Sequence, residues 1–199
     1  IKMETKLKMI EILEQQDKGV NLRELSRMLK SGLPNVVRYI KILEKENVIE
    51  KKKYANTLNI KLKESVKTIA YLKQVNTERF IALPRNVQMA IKDFLDEIEV
   101  KPLISVIFGS YAKNNYTKES DLDLLLVYQK VENEKSIENI SKRISMRTNT
   151  KISPIYLKYK DFKRNFLSKK HDFSKEAVKN AIVLSGAEIY YPLIWEVLK

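Results

Sequence analysis

Two aspartates one residue apart, Asp121 and Asp123, stand at the head of an apolar run, Leu124 to Val127. Alternate side chains of a β-strand share a face, so the two carboxylates project together. Such a pair repels itself unless a cation lies between, and Mg²⁺ favours a few carboxylates completed by phosphate oxygens. Upstream, Gly109-Ser110 follows a second apolar stretch, Val106-Ile107-Phe108, and ten residues separate Ser110 from Asp121. Glycine allows a backbone to approach phosphates closely. The serine and the amides after it open a short helix, whose N-terminus attracts anions. The segment therefore reads as strand, Gly-Ser turn, short helix and second strand, arranged to hold a metal against a phosphate. Lys113, one helical turn on, could add a counter-charge or be a solvated surface lysine. A plain strand-turn-strand with an acidic edge has a similar outline. The apolar flanks argue against it, because they put the aspartates at the mouth of a buried sheet.

Gly109-Ser110, ten residues and Asp121-x-Asp123 together resemble the signature of the DNA polymerase beta-type nucleotidyltransferase superfamily. More narrowly, residues 85 to 199 resemble the minimal nucleotidyltransferases of archaea and bacteria. The resemblance implies a nucleotidyltransferase fold with a small mixed sheet flanked by helices. It implies that Gly109 and Ser110 hold the triphosphate and that Asp121 and Asp123 are the catalytic metal ligands, for Mg²⁺ or Mn²⁺. The substrate it implies is an NTP, with ATP the expected one, and a nucleoside monophosphate passes to a hydroxyl. Antitoxin-type relatives adenylylate a partner toxin of the HEPN class, so the acceptor could be a protein.

The same resemblance calls for a third carboxylate on the next strand, and here the chain departs from it. That strand, residues 151–158, contains no Asp or Glu. The next acid, Asp161, reads as a helix N-terminal residue. Ser153 or Tyr156 could take the vacant place, and neither is a strong base at neutral pH. Whether the chain is an enzyme stays open at this point. It could be slow, could use an easily activated acceptor such as a tyrosine of a partner, or could bind a nucleotide without transferring it.

The N-terminal third has another pattern. Met3, Leu7, Ile10 and Leu13 recur at helical spacing, and Asp17-Lys18-Gly19 ends that helix. Asn21-x-x-Glu24 has the form of a capping box before a second helix. Ser31-Gly32-Leu33 turns the chain into a third helix, with Pro34 at its start. Val48 to Glu50 and Leu58 to Leu62 then read as paired strands, with Lys51, Lys52 and Lys53 as a basic hairpin arm. This resembles a winged helix-turn-helix, which implies that Asn35, Arg38, Tyr39 and Lys41 on the third helix, with the wing lysines, meet DNA. A three-helix module for binding protein would share the outline.

The charge favours a polyanion. The chain carries 38 Lys and Arg against 25 Asp and Glu, a net +13. Residues 1–63 hold 15 of the basic and 8 of the acidic side chains, more than twice the net charge per residue of the remainder. Absent cysteine excludes disulfides and thiolate zinc sites. The single histidine, His171, lies in a charged stretch and excludes His-cluster metal sites. No apolar run approaches the length that spans a bilayer and no signal peptide is visible, so the expectation is a cytoplasmic protein without membrane contact.

The fold class expected is α+β: a winged helix over 1–63, a helical linker over 64–84 with a weak point near Asn76-Thr77, and the nucleotidyltransferase domain over 85–199. The linker's apolar face and the habit of winged helices to pair suggest a homodimer. Pro84 opens a helix expected over Val87 to Ile98, and another is expected from about Glu134 to Arg147. A tail helix is expected over Ser174 to Leu184, ended by Gly186, with Tyr190, Tyr191, Pro192 and Trp195 as an aromatic cluster. The alternative function is a DNA-binding regulator whose C-terminal domain is catalytically weak or inert.

Overall fold

The computed structural model describes residues 3–16, 18–54, 57–130, 134–166 and 180–197. The chain divides into two compact units, the first ending at Glu78 and the second beginning at Arg79.

The first unit holds α1 (Thr5–Glu14), β1 (Val20–Asn21), α2 (Leu22–Leu29), α3 (Leu33–Lys45), β2 (Ile49–Tyr54) and β3 (Thr57–Leu62). Asn21 caps α2: its side-chain oxygen accepts the Glu24 N–H at 3.0 Å, and its amide donates to Glu24 Oε2 at 3.3 Å. The first bond satisfies one orphaned N–H of the helix start, and the second joins the two side chains instead of reaching the Asn21 backbone N–H of a full capping box. The apolar faces of α1, α2 and α3 close over Ile10, Leu13, Leu25, Val36, Ile40 and Leu43, all nearly inaccessible to solvent. The strands form an antiparallel sheet in the order β1-β3-β2. The two-residue β1 has no counterpart in the sequence reading, because so short a strand has no periodicity to detect.

Helix α4 (Val66–Ile81) crosses the boundary between the units without interruption. The weak point expected near Asn76-Thr77 does not break it. Asn76 Nδ2 donates to the Leu72 carbonyl at 2.7 Å and Thr77 Oγ1 to the Lys73 carbonyl at 2.9 Å. Both side chains thus bond back one turn and leave the helix running.

The second unit continues with α5 (Arg85–Glu97), β4 (Ile104–Ile107), α6 (Gly109–Ala112), β5 (Leu122–Tyr128), α7 (Glu134–Thr148), β6 (Ile152–Lys158) and α8 (Tyr159–Asp161). A π-helical turn (Phe162–Phe166), β7 (Ile182–Ser185) and α9 (Ala187–Val197) follow. Its sheet has the order β6-β5-β4-β7. The β4–β5 and β4–β7 pairs are antiparallel, whereas β5 and β6 run parallel. Parallel neighbours need a crossover, and α7 supplies it. Leu122, Leu124 and Leu126 share one face of β5 and meet Ile91 and Phe94 of α5 and Ile137 and Ile144 of α7. This buried face fixes the opposite face, where Asp123 lies.

The tail differs from expectation. Residues 182–185 pair with β4 as an edge strand rather than ending a helix, and the expected segment 174–179 lies outside the described residues, as does His171. Ile-Val-Leu is β-branched and apolar enough to satisfy either period over so few residues. Gly186, at φ +75°, therefore leads into α9 rather than closing a helix. Tyr190 and Tyr191 on α9 are buried, with their rings edge to face at 5.4 Å, so this part of the aromatic cluster is core. No helix among the described residues is long and apolar enough to cross a membrane.

Candidate active site

The site forms where the chain leaves β4 and enters β5. After Phe108 the backbone turns through Gly109 at φ +69° into the four-residue α6. The Phe108 N–H donates to the Asp123 carbonyl at 3.1 Å, which ties the turn to the neighbouring strand. A Cβ on Gly109 would stand 2.1 Å from Asp123 Oδ2. Only glycine lets this backbone lie so close to the carboxylate, and only glycine adopts this φ without strain. Ser110 is half-buried at the start of the turn. Lys113 is exposed at its end, and its backbone N–H donates to the Gly109 carbonyl at 3.1 Å. A second turn delivers the chain to β5: Ser120 Oγ accepts the Thr117 N–H at 2.8 Å, and the Ser120 N–H donates to the Thr117 carbonyl at 3.2 Å.

Asp121 and Asp123 leave β5 on the face away from its leucines, as alternation requires. Burial, and then the charge of Asp121, push the Asp123 carboxyl above the ordinary carboxylate range. A group so placed gains from a cation. Asp121 already has one, since Lys151 Nζ lies 2.7 Å from its Oδ2. Beside them Tyr111 and Tyr116 stack face to face, centroids 4.4 Å apart and planes 9° from parallel. Tyr111 is nearly buried, and its phenol is shifted upward by that burial and by Tyr116 and Asp121.

β6 decides what stands beside the aspartates. Its parallel register places Ser153 opposite Asp123 and Tyr156 opposite Leu126. Ser153 therefore shares the aspartate face, and Tyr156 belongs to the other. Tyr156 is partly packed on the core and its hydroxyl donates to Glu138 Oε1 of α7 at 3.1 Å. Of the two residues that could stand in for a third carboxylate, Ser153 shares the face of the aspartates and Tyr156 does not. Asp161 follows the far end of β6, five strand residues or roughly 17 Å beyond Ser153; there it pairs with Arg164 at 3.1 Å. Among the described residues no third His, Cys, Asp or Glu joins the aspartates in a metal cluster.

The donor set still fits a hard divalent cation of the Mg²⁺ or Mn²⁺ kind. It consists of two carboxylates, that of Asp123 raised by burial and then by its neighbour's charge, beside the Gly-Ser turn. Asp121 and Asp123 would hold such an ion, which would supply charge neutralisation to a bound phosphoryl group.

The N-terminal basic residues form a separate group. Asn35 Nδ2 donates to Ser31 Oγ at 2.9 Å, and its oxygen accepts from Arg38 at 2.9 Å. The Arg38 guanidinium lies over the Tyr39 ring, 4.9 Å from its centroid. Arg38 and Lys41 are exposed on α3. Lys51, Lys52 and Lys53 lie within β2 itself rather than at a hairpin tip, so Lys52 projects from the face opposite to the other two. Lys51 pairs with Glu44 at 2.6 Å and Lys52 with Glu50 at 2.9 Å.

Sequence reasoning missed Lys151 and the Tyr111–Tyr116 stack. Once β6 is set parallel to β5, residue 151 falls beside residue 121, but nothing in the sequence alone announces that pairing.

The comparisons with known proteins agree with this geometry. The family described as "Polymerase beta, Nucleotidyltransferase" matches residues 89–188, which span both aspartates, the Gly-Ser turn and every strand of the second sheet. The chain is 30% identical over 95 residues to "Putative protein adenylyltransferase MJ0141" of Methanocaldococcus jannaschii, a match covering 46% of this chain and 88% of that protein. It is 42% identical over 48 residues to "Putative protein adenylyltransferase MJ0604" of the same organism, covering 21% of this chain and 46% of that protein. No solved structure matches the chain. By its Gly-Ser turn, its paired aspartates and these matches, the chain belongs to the polymerase beta nucleotidyltransferase family.

Proposed function

We propose that the protein transfers a nucleoside monophosphate, AMP from ATP, to a hydroxyl of a partner protein. The observation that carries this reading is the close approach of the Gly109 backbone to the Asp123 carboxylate, because a glycine turn suited to phosphate then adjoins carboxylates suited to a metal ion. The names of the Methanocaldococcus relatives support a protein as acceptor. Gly109 and Ser110 bind the triphosphate through the turn, and Asp121 and Asp123 hold the divalent ion. That ion, when bound, neutralises charge on the phosphoryl group and fixes its orientation. The acceptor oxygen bonds to the α-phosphorus, and the bond from that phosphorus to the bridging oxygen breaks. Pyrophosphate leaves with the electron pair, and the hydroxyl proton passes to water. With serine and not a carboxylate opposite Asp123, no side chain there is a strong base, so an acceptor of low pKa such as a tyrosine is favoured. ATP labelled at the α-phosphate, Mg²⁺ and the protein encoded beside this one test it. Label should pass to that protein and should vanish with Asp121→Asn/Asp123→Asn. Transfer undiminished in that variant would exclude the assignment.

A second reading rests on Arg38, Lys41 and the β2 lysines. In it the first unit is a winged helix that binds duplex DNA as a homodimer and ties the enzyme to transcriptional control. If the C-terminal site holds ATP but passes no label, this regulator is the surviving function.

A further inference from the structure

We propose that Lys151 is the site's own movable cation, held on Asp121 until a metal–nucleotide complex binds and then turned onto the phosphoryl group being transferred. The inference rests on the nucleotidyl-transfer reading and adds a catalytic residue to it.

The placement comes from the strand register. β5 and β6 run parallel with Leu122 beside Ile152, and the Leu122 N–H donates to the Lys151 carbonyl at 2.7 Å. Residues 151 and 153 therefore edge the same face as Asp121 and Asp123. On this face β6 presents a lysine and a serine, so its contribution is a positive charge and a neutral hydroxyl.

The ion pair fits a movable role better than a fixed one. The Lys151 side chain is 74% exposed and that of Asp121 35% exposed. An exposed pair contributes little stability and exchanges readily. Its ammonium sits on a long flexible stem at the mouth of the site. When Asp121 gives its oxygens to the divalent ion, the ammonium loses its partner. The nearest new anion is then the triphosphate lying against Gly109 and Ser110. During transfer the α-phosphoryl oxygens and the departing pyrophosphate carry charge that a second cation stabilises. Lys151 supplies that cation from the protein, as a donor aimed where charge develops. The proton and bond balance of the step is unchanged, since the ammonium keeps its proton throughout.

The test compares the full-length protein with Lys151→Met and Lys151→Arg, using Mn²⁺ alone, Mg²⁺–ATP and α-labelled ATP. Exposure at position 151 predicts unchanged melting temperatures without ligand. Removing the competitor for Asp121 should tighten Mn²⁺ binding in the absence of nucleotide, about two- to fivefold by electron paramagnetic resonance. The same Met variant should lose about 100-fold in transfer rate, with Arg restoring most of it. A pair that stays fixed on Asp121 would also tighten Mn²⁺ binding when removed, but would leave the transfer rate unchanged. If the natural protein transfers label and the Met variant matches it in rate, whatever its Mn²⁺ affinity, Lys151 has no such role and the nucleotidyl-transfer reading stands. If the natural protein neither binds Mg²⁺–ATP nor transfers label, both fall together.

Discussion

The backbone of Gly109 lies directly against the carboxylate of Asp123, so closely that an added methyl group would stand 2.1 Å from Oδ2. The Gly-Ser turn and the strand that carries the paired aspartates are thus one unit, and a change in either is felt by the other. Gly109→Ala should destabilise the protein by about 1–2 kcal/mol from the left-handed backbone alone. It should also displace the Asp123 side chain and remove the stabilisation that Mg²⁺–ATP provides. Denaturant midpoints with and without ligand measure both. An alanine variant of natural stability that still responds to ligand would show that the approach is looser than described.

Asp123 is held at some cost to stability. Burial and the neighbouring Asp121 both disfavour its charged form, so the native state gains nothing from this carboxylate without a cation. Asp123→Asn should leave the ligand-free stability unchanged or raise it, while abolishing transfer, as replacements at functional sites often do. A variant that is less stable than the natural protein would argue that Asp123 has a structural role.

Tyr128, at the end of β5, is 3% exposed, and its buried hydroxyl has no hydrogen-bond partner among the described residues. Burial pushes its phenol up to about 12, from 10.0. Between these values the unfolded chain ionises and the native protein does not. The group's contribution is therefore intact below pH 10.0 and is lost as the pH rises toward about 12. Its limiting slope is about 1.4 kcal/mol per pH unit. Tyr128→Phe should be as stable as the natural protein or slightly more so at pH 8, and should lose less stability by pH 11. Urea midpoints of both proteins at the two pH values decide this, since lysine titration is common to both.

For the first unit, duplex DNA affinity should fall steeply with salt. Replacing Lys51, Lys52 and Lys53 with Gln should reduce the slope of log K against log salt by up to about 2.7, near 0.9 for each phosphate that a lysine no longer neutralises. Lys51 and Lys52 must first give up Glu44 and Glu50, so a smaller reduction would single out Lys53. Fluorescence anisotropy over a salt series gives the slope, and an unchanged slope would remove these lysines from the interface.

The strands that carry the candidate site are legible because their signal is local. Gly109, Ser110, Asp121 and Asp123 lie within one short stretch, and the leucines after them leave little choice of face. The Asn21 cap of α2 is legible for the same reason. What could not be read depends on pairings distant in sequence. Lys151 meets Asp121 only because β6 runs parallel to β5, and Tyr156 was a candidate only until that register turned it toward Glu138. The edge strand over residues 182–185 was misread as helix because its partner is β4, about 80 residues earlier, and not its own neighbours.

The most direct test of the central claim is the stability of the natural protein and of Asp121→Asn/Asp123→Asn, each with and without Mg²⁺ and each NTP. With ligand at about 100 times its dissociation constant, the natural protein should gain ~2.7 kcal/mol, only when Mg²⁺ is present. The variant should gain nothing relative to its own ligand-free state. No gain with any NTP, or an equal gain in the variant, would contradict a metal–nucleotide site at these aspartates.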